Sequence, residues 1–174
     1  MDKQAIEQKY EGFREVARER TRDTLWERIL PAKLPIELYA FDFTSISDAA
    51  LKEAEGWNFR WRRIVGQTRP YLRRFEVAVW KDGRLLGLAV GRASRGPDNV
   101  TIHYLERSRA DNPLATHFAM IALDATDNYA KIISRQRVKL KNPAPGVIKK
   151  YQALGFSLAE TYRGATYYER RVVP

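Results

Sequence analysis

Asn142-Pro-Ala-Pro-Gly-Val-Ile-Lys-Lys-Tyr151-Gln-Ala-Leu-Gly155-Phe156 decides how the rest of the chain is read. Two prolines in the first four residues break the strand expected over Arg135–Leu140. The stretch from Gly146 to Leu154 then reads as a short helix, and Gly155 stops it, because glycine accepts the left-handed conformation that closes a helix. Beyond it two strands are expected, Phe156–Glu160 and Thr166–Val172, joined at Arg163-Gly164.

Upstream, Asn112-Pro113 fits an N-cap followed by proline at the first helical position. The helix it opens runs to about Ala130 and places Leu114, Phe118, Ile121 and Ala125 on one face. Before it come three strands, Phe75–Trp80, Arg84–Gly91 and Val100–Glu106. Lys81-Asp82-Gly83 is a hairpin turn between the first two. Pro35 opens a strand over Ile36–Phe43, Ser45 or Ser47 caps a helix ending near Gly56, and the arginine-rich stretch after Trp57 is helical as far as Thr68-Arg-Pro70.

Residues 3–30 read as one long helix that Pro31 ends. Glu7, Glu11, Glu15, Glu19, Asp23 and Glu27 form an acidic row, and Arg14, Arg18 and Arg22 offset it at i,i+3 spacing. This arm, residues 1–31, is either a solvated helix packed on one side or a contact for a partner such as a second copy in a homodimer. Residues 32–174 form one domain in the order β-α-α-β-β-β-α-β-α-β-β, an α/β fold with a mixed sheet.

Composition narrows the chemistry. The chain has 174 residues and no cysteine, which excludes disulfides, a thiolate nucleophile and thiolate zinc sites; two histidines argue against a multi-histidine metal centre. No apolar run qualifies as a signal peptide or membrane span, so a cytoplasmic location is expected. Net charge is +10, and it is concentrated. Residues 57–75 hold six arginines and residues 130–150 hold seven lysines and arginines, neither stretch with an acid. An anionic partner is implied, either a phosphorylated cofactor or nucleic acid, since arginines interleaved with aromatics both neutralise phosphate and stack bases. A buried aromatic face with solvated arginines explains the same pattern.

The element order, with Asn142 and Tyr151-x-x-x-Gly155-Phe156, resembles the closing part of the Gcn5-related N-acetyltransferase (GNAT) superfamily. The resemblance in topology spans about residues 34–172. It implies a mixed, mostly antiparallel sheet flanked by helices, here with an extra amino-terminal helix. It also implies that Val100–Glu106 and Arg135–Leu140 splay apart to admit acetyl-CoA or another acyl-CoA. Direct transfer through a tetrahedral intermediate to a primary amine would follow. Tyr151 matches the residue that protonates the departing thiolate, and a phenol with a pKa of about 10 carries the proton to do so. Glu106 is the candidate base, with His103 on the opposite face by strand alternation. The main-chain N–H of Tyr104 or Leu105 would polarise the thioester carbonyl.

The family's pyrophosphate loop, Arg/Gln-x-x-Gly-x-Gly/Ala, aligns with Arg109-Ala-Asp-Asn112-Pro-Leu114-Ala115. Arg109 matches. Asn112 replaces the first glycine as the residue best able to adopt a left-handed conformation, and Leu114 brings bulk near the phosphates. Lys139, with Lys141, Lys149 and Lys150, and Asn142 complete the expected cofactor rim. Two further readings stay open: an acceptor that is nucleic acid (charged tRNA or a DNA base), and a non-catalytic binding protein on this frame.

Overall fold

The structure is a computed structural model that describes residues 2–28 and 41–174. The elements are α1 (Lys3–Arg28), β1 (Phe41–Thr44), α2 (Asp48–Glu53), α3 (Trp61–Thr68), β2 (Arg74–Lys81), β3 (Arg84–Ala93), β4 (Asn99–Arg107), α4 (Phe118–Ile132), β5 (Arg137–Lys141), α5 (Ile148–Ala153), β6 (Ser157–Tyr162) and β7 (Ala165–Arg171). The order is the one read from the sequence. Of the strand expected over Ile36–Phe43, residues 36–40 lie outside the described residues, as do Pro31 and the boundary at 31/32.

The seven strands form one sheet in the order β1-β2-β3-β4-β5-β7-β6. Every neighbouring pair is antiparallel except β4 and β5, which run parallel. Two tight turns are set by backbone chemistry. Asp82 and Gly83 have φ of 49° and 72°, and Arg163 and Gly164 have 49° and 77°, the doubly left-handed pattern that matches strand twist in two-residue hairpins. Ser47, of the two serines proposed, caps α2 by accepting the Ala50 N–H at 3.2 Å.

Two hydrophobic layers sandwich the sheet. On one side α1, α4 and α5 cover Phe75, Val77, Val79, Val100, Ile102 and Leu140. On the other, α2 and α3 bring Ile46, Leu51, Trp61 and Ile64 against Ala78, Leu85, Leu88 and Val90. Each large side chain so buried contributes roughly 1.5–3 kcal/mol. α4 is buried nearly all round because α1 lies along its outer face, and most of its buried polar groups are paired, the Tyr129 hydroxyl excepted. Asp127 meets Arg170 at 2.7 Å, and Asn128 donates to Thr21 at 2.8 Å. α1 is thus packed rather than free. Arg14 is wholly buried and joins Glu7, Glu11 and the carbonyls of Leu72 and Arg74, tying the helix to β2.

α4 begins at Phe118, four residues later than the sequence predicts. The residues between are a turn in which Ala115 N–H donates to the Asn112 carbonyl and His117 N–H to that of Leu114, a tighter winding than an α-helix. Leu114, Phe118, Ile121 and Ala125 are nonetheless all buried, as expected.

Candidate functional site

β4 pairs with β5 only from Asn99–Arg137 to Ile102–Leu140. β4 then continues to Arg107 while β5 ends at Lys141, so the strand edge from His103 onward has lost its parallel neighbour. A bulge sits where the pairing ends. Val90 opposes Tyr104 and Gly91 opposes Ile102, which leaves His103 as the extra residue on β4. Bulges re-aim the side chains that follow them. Here the bulge overturns the alternation expected for His103. Tyr104 and Glu106 lie opposite Val90 and Leu88, on the α2/α3 side of the sheet. Arg92 and Lys141, whose charges act on His103, alternate onto that same side. Burial, then these two cations, push the His103 pKa down to about 4, so the imidazole is neutral at pH 7. An isolated glycine inside a strand, Gly91, is the sequence signal that announces such a bulge.

Glu106 accepts three hydrogen bonds: from Asn58 N–H at 2.7 Å, Phe59 N–H at 3.1 Å and Trp61 Nε1 at 2.8 Å. The carboxylate therefore clamps the α2–α3 connection onto β4. A cavity of about 350 Å³ opens beside it, lined by Trp57, Asn58, Arg84, Glu106, Arg107 and Arg109 among others. Glu106 and Arg109 are brought together there. Tyr104 is exposed beside Phe59, ring centroids 5.1 Å apart, and Leu105 turns to the α4 core.

Tyr151 lies on the other side of the sheet, edge-on to Phe156 at 5.9 Å. It is 8% exposed, and its hydroxyl has no hydrogen-bond partner among the described residues. Burial raises its pKa, so the phenol stays protonated throughout the neutral range. Asn142 adopts φ of 49° and locks β5 to β7: its N–H donates to Thr166 O at 2.7 Å and its Oδ1 accepts the Thr166 N–H at 2.8 Å. That leaves only its amide nitrogen to face a ligand. Lys139 is held by Glu160 at 3.1 Å and Glu169 at 3.9 Å, so its charge is spent within the β5–β7–β6 edge.

The loop after β4 differs from expectation. Asn112 does not adopt the left-handed conformation. It is buried, its Nδ2 donating to Leu86 O and Ser108 O and its Oδ1 accepting Leu114 N–H at 2.9 Å. Leu114 is turned into the core, away from any phosphate position, because Phe118, Ile121 and Ala125 continue its face. The N–H groups of Leu114, Ala115, His117 and Phe118 all donate within this turn. Arg109 is exposed. Among the described residues no group of acidic or histidine side chains is arranged to hold a metal ion.

The chain, with a seven-stranded mixed sheet whose one parallel pair among the described residues parts at a bulge, has the fold of solved acetyltransferase structures, among them a putative acetyltransferase of the GNAT family from Desulfovibrio desulfuricans at TM-score 0.56 and 12% identity over 77% of this chain and 100% of that one. It is similar to Ard1 from Thermoplasma volcanium, at TM-score 0.56 and 15% identity over 78% of this chain and 99% of that one. It is also similar to an aminoglycoside 6′-N-acetyltransferase in complex with coenzyme A, at TM-score 0.59 and 9% identity over 76% and 98%. The ribosomal-protein-S18-alanine N-acetyltransferase from Escherichia coli aligns at TM-score 0.55 and 14% identity over 76% and 94%. No family model and no curated protein sequence matches the chain. No helix among the described residues is long and apolar enough to cross a membrane.

Proposed function

We propose that the protein is an acyl-CoA-dependent N-acyltransferase, with acetyl-CoA as donor and an amine as acceptor. The observation that carries this reading is the release of β4 from β5 after Ile102 and Leu140, at the His103 bulge. Unpaired strand edge is costly to leave without partners. An extended amide-bearing chain laid along residues 103–107 would supply them, and the pantetheine arm of an acyl-CoA is such a chain. Its thioester supplies the acyl group.

In this reading the main-chain N–H of Tyr104 or Leu105 polarises the acyl carbonyl, and Tyr151 donates its phenolic proton to the departing sulfur. The acceptor nitrogen, giving up one proton, forms the new C–N bond at the carbonyl carbon, and collapse of the resulting tetrahedral intermediate breaks the C–S bond. Glu106 is proposed to take that proton, through water, while it holds the α2–α3 connection in place. Its Oε1 accepts only the Asn58 N–H, which leaves that oxygen a site for the water. The phosphates would meet the side chains of Arg107 and Arg109 more than main-chain N–H groups, since four of the latter are already used in the turn.

That closed turn favours a second reading, a binding protein on the same frame with no transfer activity. Thermal shift with CoA, followed by thiol release from acetyl-CoA over a panel of amines, separates the two. A ligand at a hundredfold over its dissociation constant stabilises by about 2.7 kcal/mol. For a domain of this size that is a rise of roughly 5–10 °C. No shift at millimolar CoA sinks the transferase; a shift with no thiol release from any amine leaves the binding protein.

A further inference from the structure

We propose that the acceptor amine is carried on a single-stranded nucleic acid, which docks on the α2/α3 side of β4 around His103. The inference rests on the transferase reading and specifies its acceptor.

Two exposed aromatic groups flank the bulge on that side. Tyr104 (37% exposed) and Phe59 (39%) meet edge-on at 5.1 Å. Tyr71 (47% exposed) lies under the Arg92 guanidinium, which stands 4.1 Å from its ring centroid. Arg92 is on β3 opposite Thr101, one residue from the bulge, and Lys141 closes the other flank at the end of β5. Arg60 and Arg63, next to Phe59 along the chain, and Arg95, in the turn between β3 and β4, are exposed as well. None of these five cations has a carboxylate partner among the described residues.

Most acids of this neighbourhood are already committed, Glu53 at the rim of the cavity being the exposed exception. Glu106 holds three donors, Glu76 is buried against Arg69 and Arg74, and Glu169 and Glu160 serve Arg137 and Lys139. A free cationic amine such as a polyamine or amino sugar would approach a face of uncompensated positive charge, and like charge repels the wrong substrate as effectively as contacts select the right one. An amine on a phosphate chain is drawn to it. The aromatic pairs narrow the polyanion further. Bases have π-faces to stack on Tyr71, Phe59 and Tyr104; a sulfated polysaccharide has none. Stacking on exposed rings requires unpaired bases.

The test is fluorescence anisotropy with a fluorescein-labelled 12-nucleotide single strand, as RNA and as DNA, at 50 and 200 mM salt without acyl-CoA. Binding is expected for at least one strand, weakened roughly fiftyfold by the salt if about four phosphates are neutralised. Tyr71→Ala and Phe59→Ala should each weaken it about tenfold at fixed salt. Arg92→Ala should also lower the salt slope by about 0.7. Arg20→Ala, on exposed α1 surface, should change nothing. Absent binding at 50 mM salt overturns the proposal. So does binding that heparin displaces while Tyr71→Ala and Phe59→Ala have no effect, because charge alone would then explain it. A CoA-induced thermal shift without oligonucleotide binding discards this acceptor and keeps the transferase; oligonucleotide binding without any CoA response discards the transferase itself.

Discussion

Gly91 on β3 and Thr101 on β4 approach so closely that a Cβ at position 91 would stand 2.0 Å from the Thr101 carbonyl oxygen. The neighbour is backbone and cannot swing aside. Gly91 opposes Ile102, next to the extra residue His103, so the missing side chain is what lets β4 fold inward at the bulge. Gly91→Ala should therefore push the strands apart where the acyl group is proposed to sit. A loss of about 1–3 kcal/mol in chemical denaturation is expected from forced overpacking. Turnover should fall more than the stability loss explains at a temperature where the variant stays folded. A variant with native stability and turnover would show that the bulge is not needed.

Tyr151 offers a cleaner separation of chemistry from folding. Its hydroxyl has no partner among the described residues, so Tyr151→Phe keeps the edge-on contact with Phe156 and forfeits no hydrogen bond. Stability should move by less than about 0.5 kcal/mol. Loss of a general acid should lower kcat by more than tenfold, within the roughly 10²–10⁴ range such groups supply. Because burial raises the phenol's pKa, no falling limb from this group is expected below about pH 10 in the wild-type rate profile. Thiol release measured across pH 6–10, beside a thermal melt, checks both halves. Unchanged kcat removes the role.

Much of this fold was legible because local rules agreed with one another. Asp82-Gly83 and Arg163-Gly164 declare their hairpins, Ser47 its helix, and Gly155, with φ of 90°, the end of α5. The site was less legible because its features arise between elements. The His103 bulge depends on what Gly91 lacks, and alternation along β4 alone puts His103 on the wrong face. The Asn112-Pro113-Leu114 stretch looks like a helix start and a left-handed substitution. The decisive fact is that Leu86 and Ser108 offer carbonyls to the Asn112 amide, which pulls it inward and delays α4. Lys139 reads as a free cation until β7 and β6 fold beside it and supply Glu169 and Glu160.

Glu106 carries two proposed duties, and a single substitution tells them apart. In Glu106→Gln one carboxylate oxygen becomes an NH₂ group that faces an N–H of Asn58 or Phe59, donor against donor. A cost of about 1–3 kcal/mol is expected from the unmade bond. If the carboxylate also takes the acceptor's proton, kcat should fall by roughly 10² or more with acceptor KM little changed. A rise in acceptor KM with kcat intact would leave Glu106 as a positioning residue only.

Arg14 anchors α1 from a fully buried position, with Glu7 at 2.7 Å and Glu11 at 2.8 Å. Arg14→Met keeps the aliphatic length but takes one partner from each carboxylate, leaving Glu7 with Arg74 and Glu11 with Arg18, and removes the donor to the Leu72 and Arg74 carbonyls. Losing one charged partner at each half-buried carboxylate, with the carbonyl contacts, should cost about 1–3 kcal/mol in urea denaturation at pH 7. Hydrogen bonds from Arg74 hold the Glu7 pKa below the ordinary value of 4.5; at Glu11 burial opposes, but Arg18 and Arg14 outweigh it and lower the pKa as well. Their stabilisation is present above that ordinary value and fades as pH falls through the lowered ones. The variant should therefore lose less stability than wild type between pH 5 and pH 3. A pH 7 loss under about 1 kcal/mol would mean that α1 is held by its apolar contacts alone.

His103 gives the opposite substitution, one that should stabilise. Burial, with Arg92 and Lys141 nearby, pushes its folded pKa to about 4 from an ordinary 6.5. In the unfolded chain the imidazole takes a proton as pH drops through 6.5, whereas in the folded protein it resists until about 4. Acidification across that window therefore favours unfolding, and the loss levels off below the folded value. The interval is worth about 3 kcal/mol at most, and partial solvent contact reduces it to about 1–3 kcal/mol. His103→Gln removes the titration. Its stability should match wild type at pH 7.5 within about 0.5 kcal/mol. At pH 4.5 it should exceed wild type by about 1–3 kcal/mol, read as the difference between the two urea curves so that the carboxylates common to both cancel. Parallel curves for the two proteins from pH 7.5 to 4.5 would mean that His103 is solvated on both sides and that Arg92 and Lys141 do not press on it.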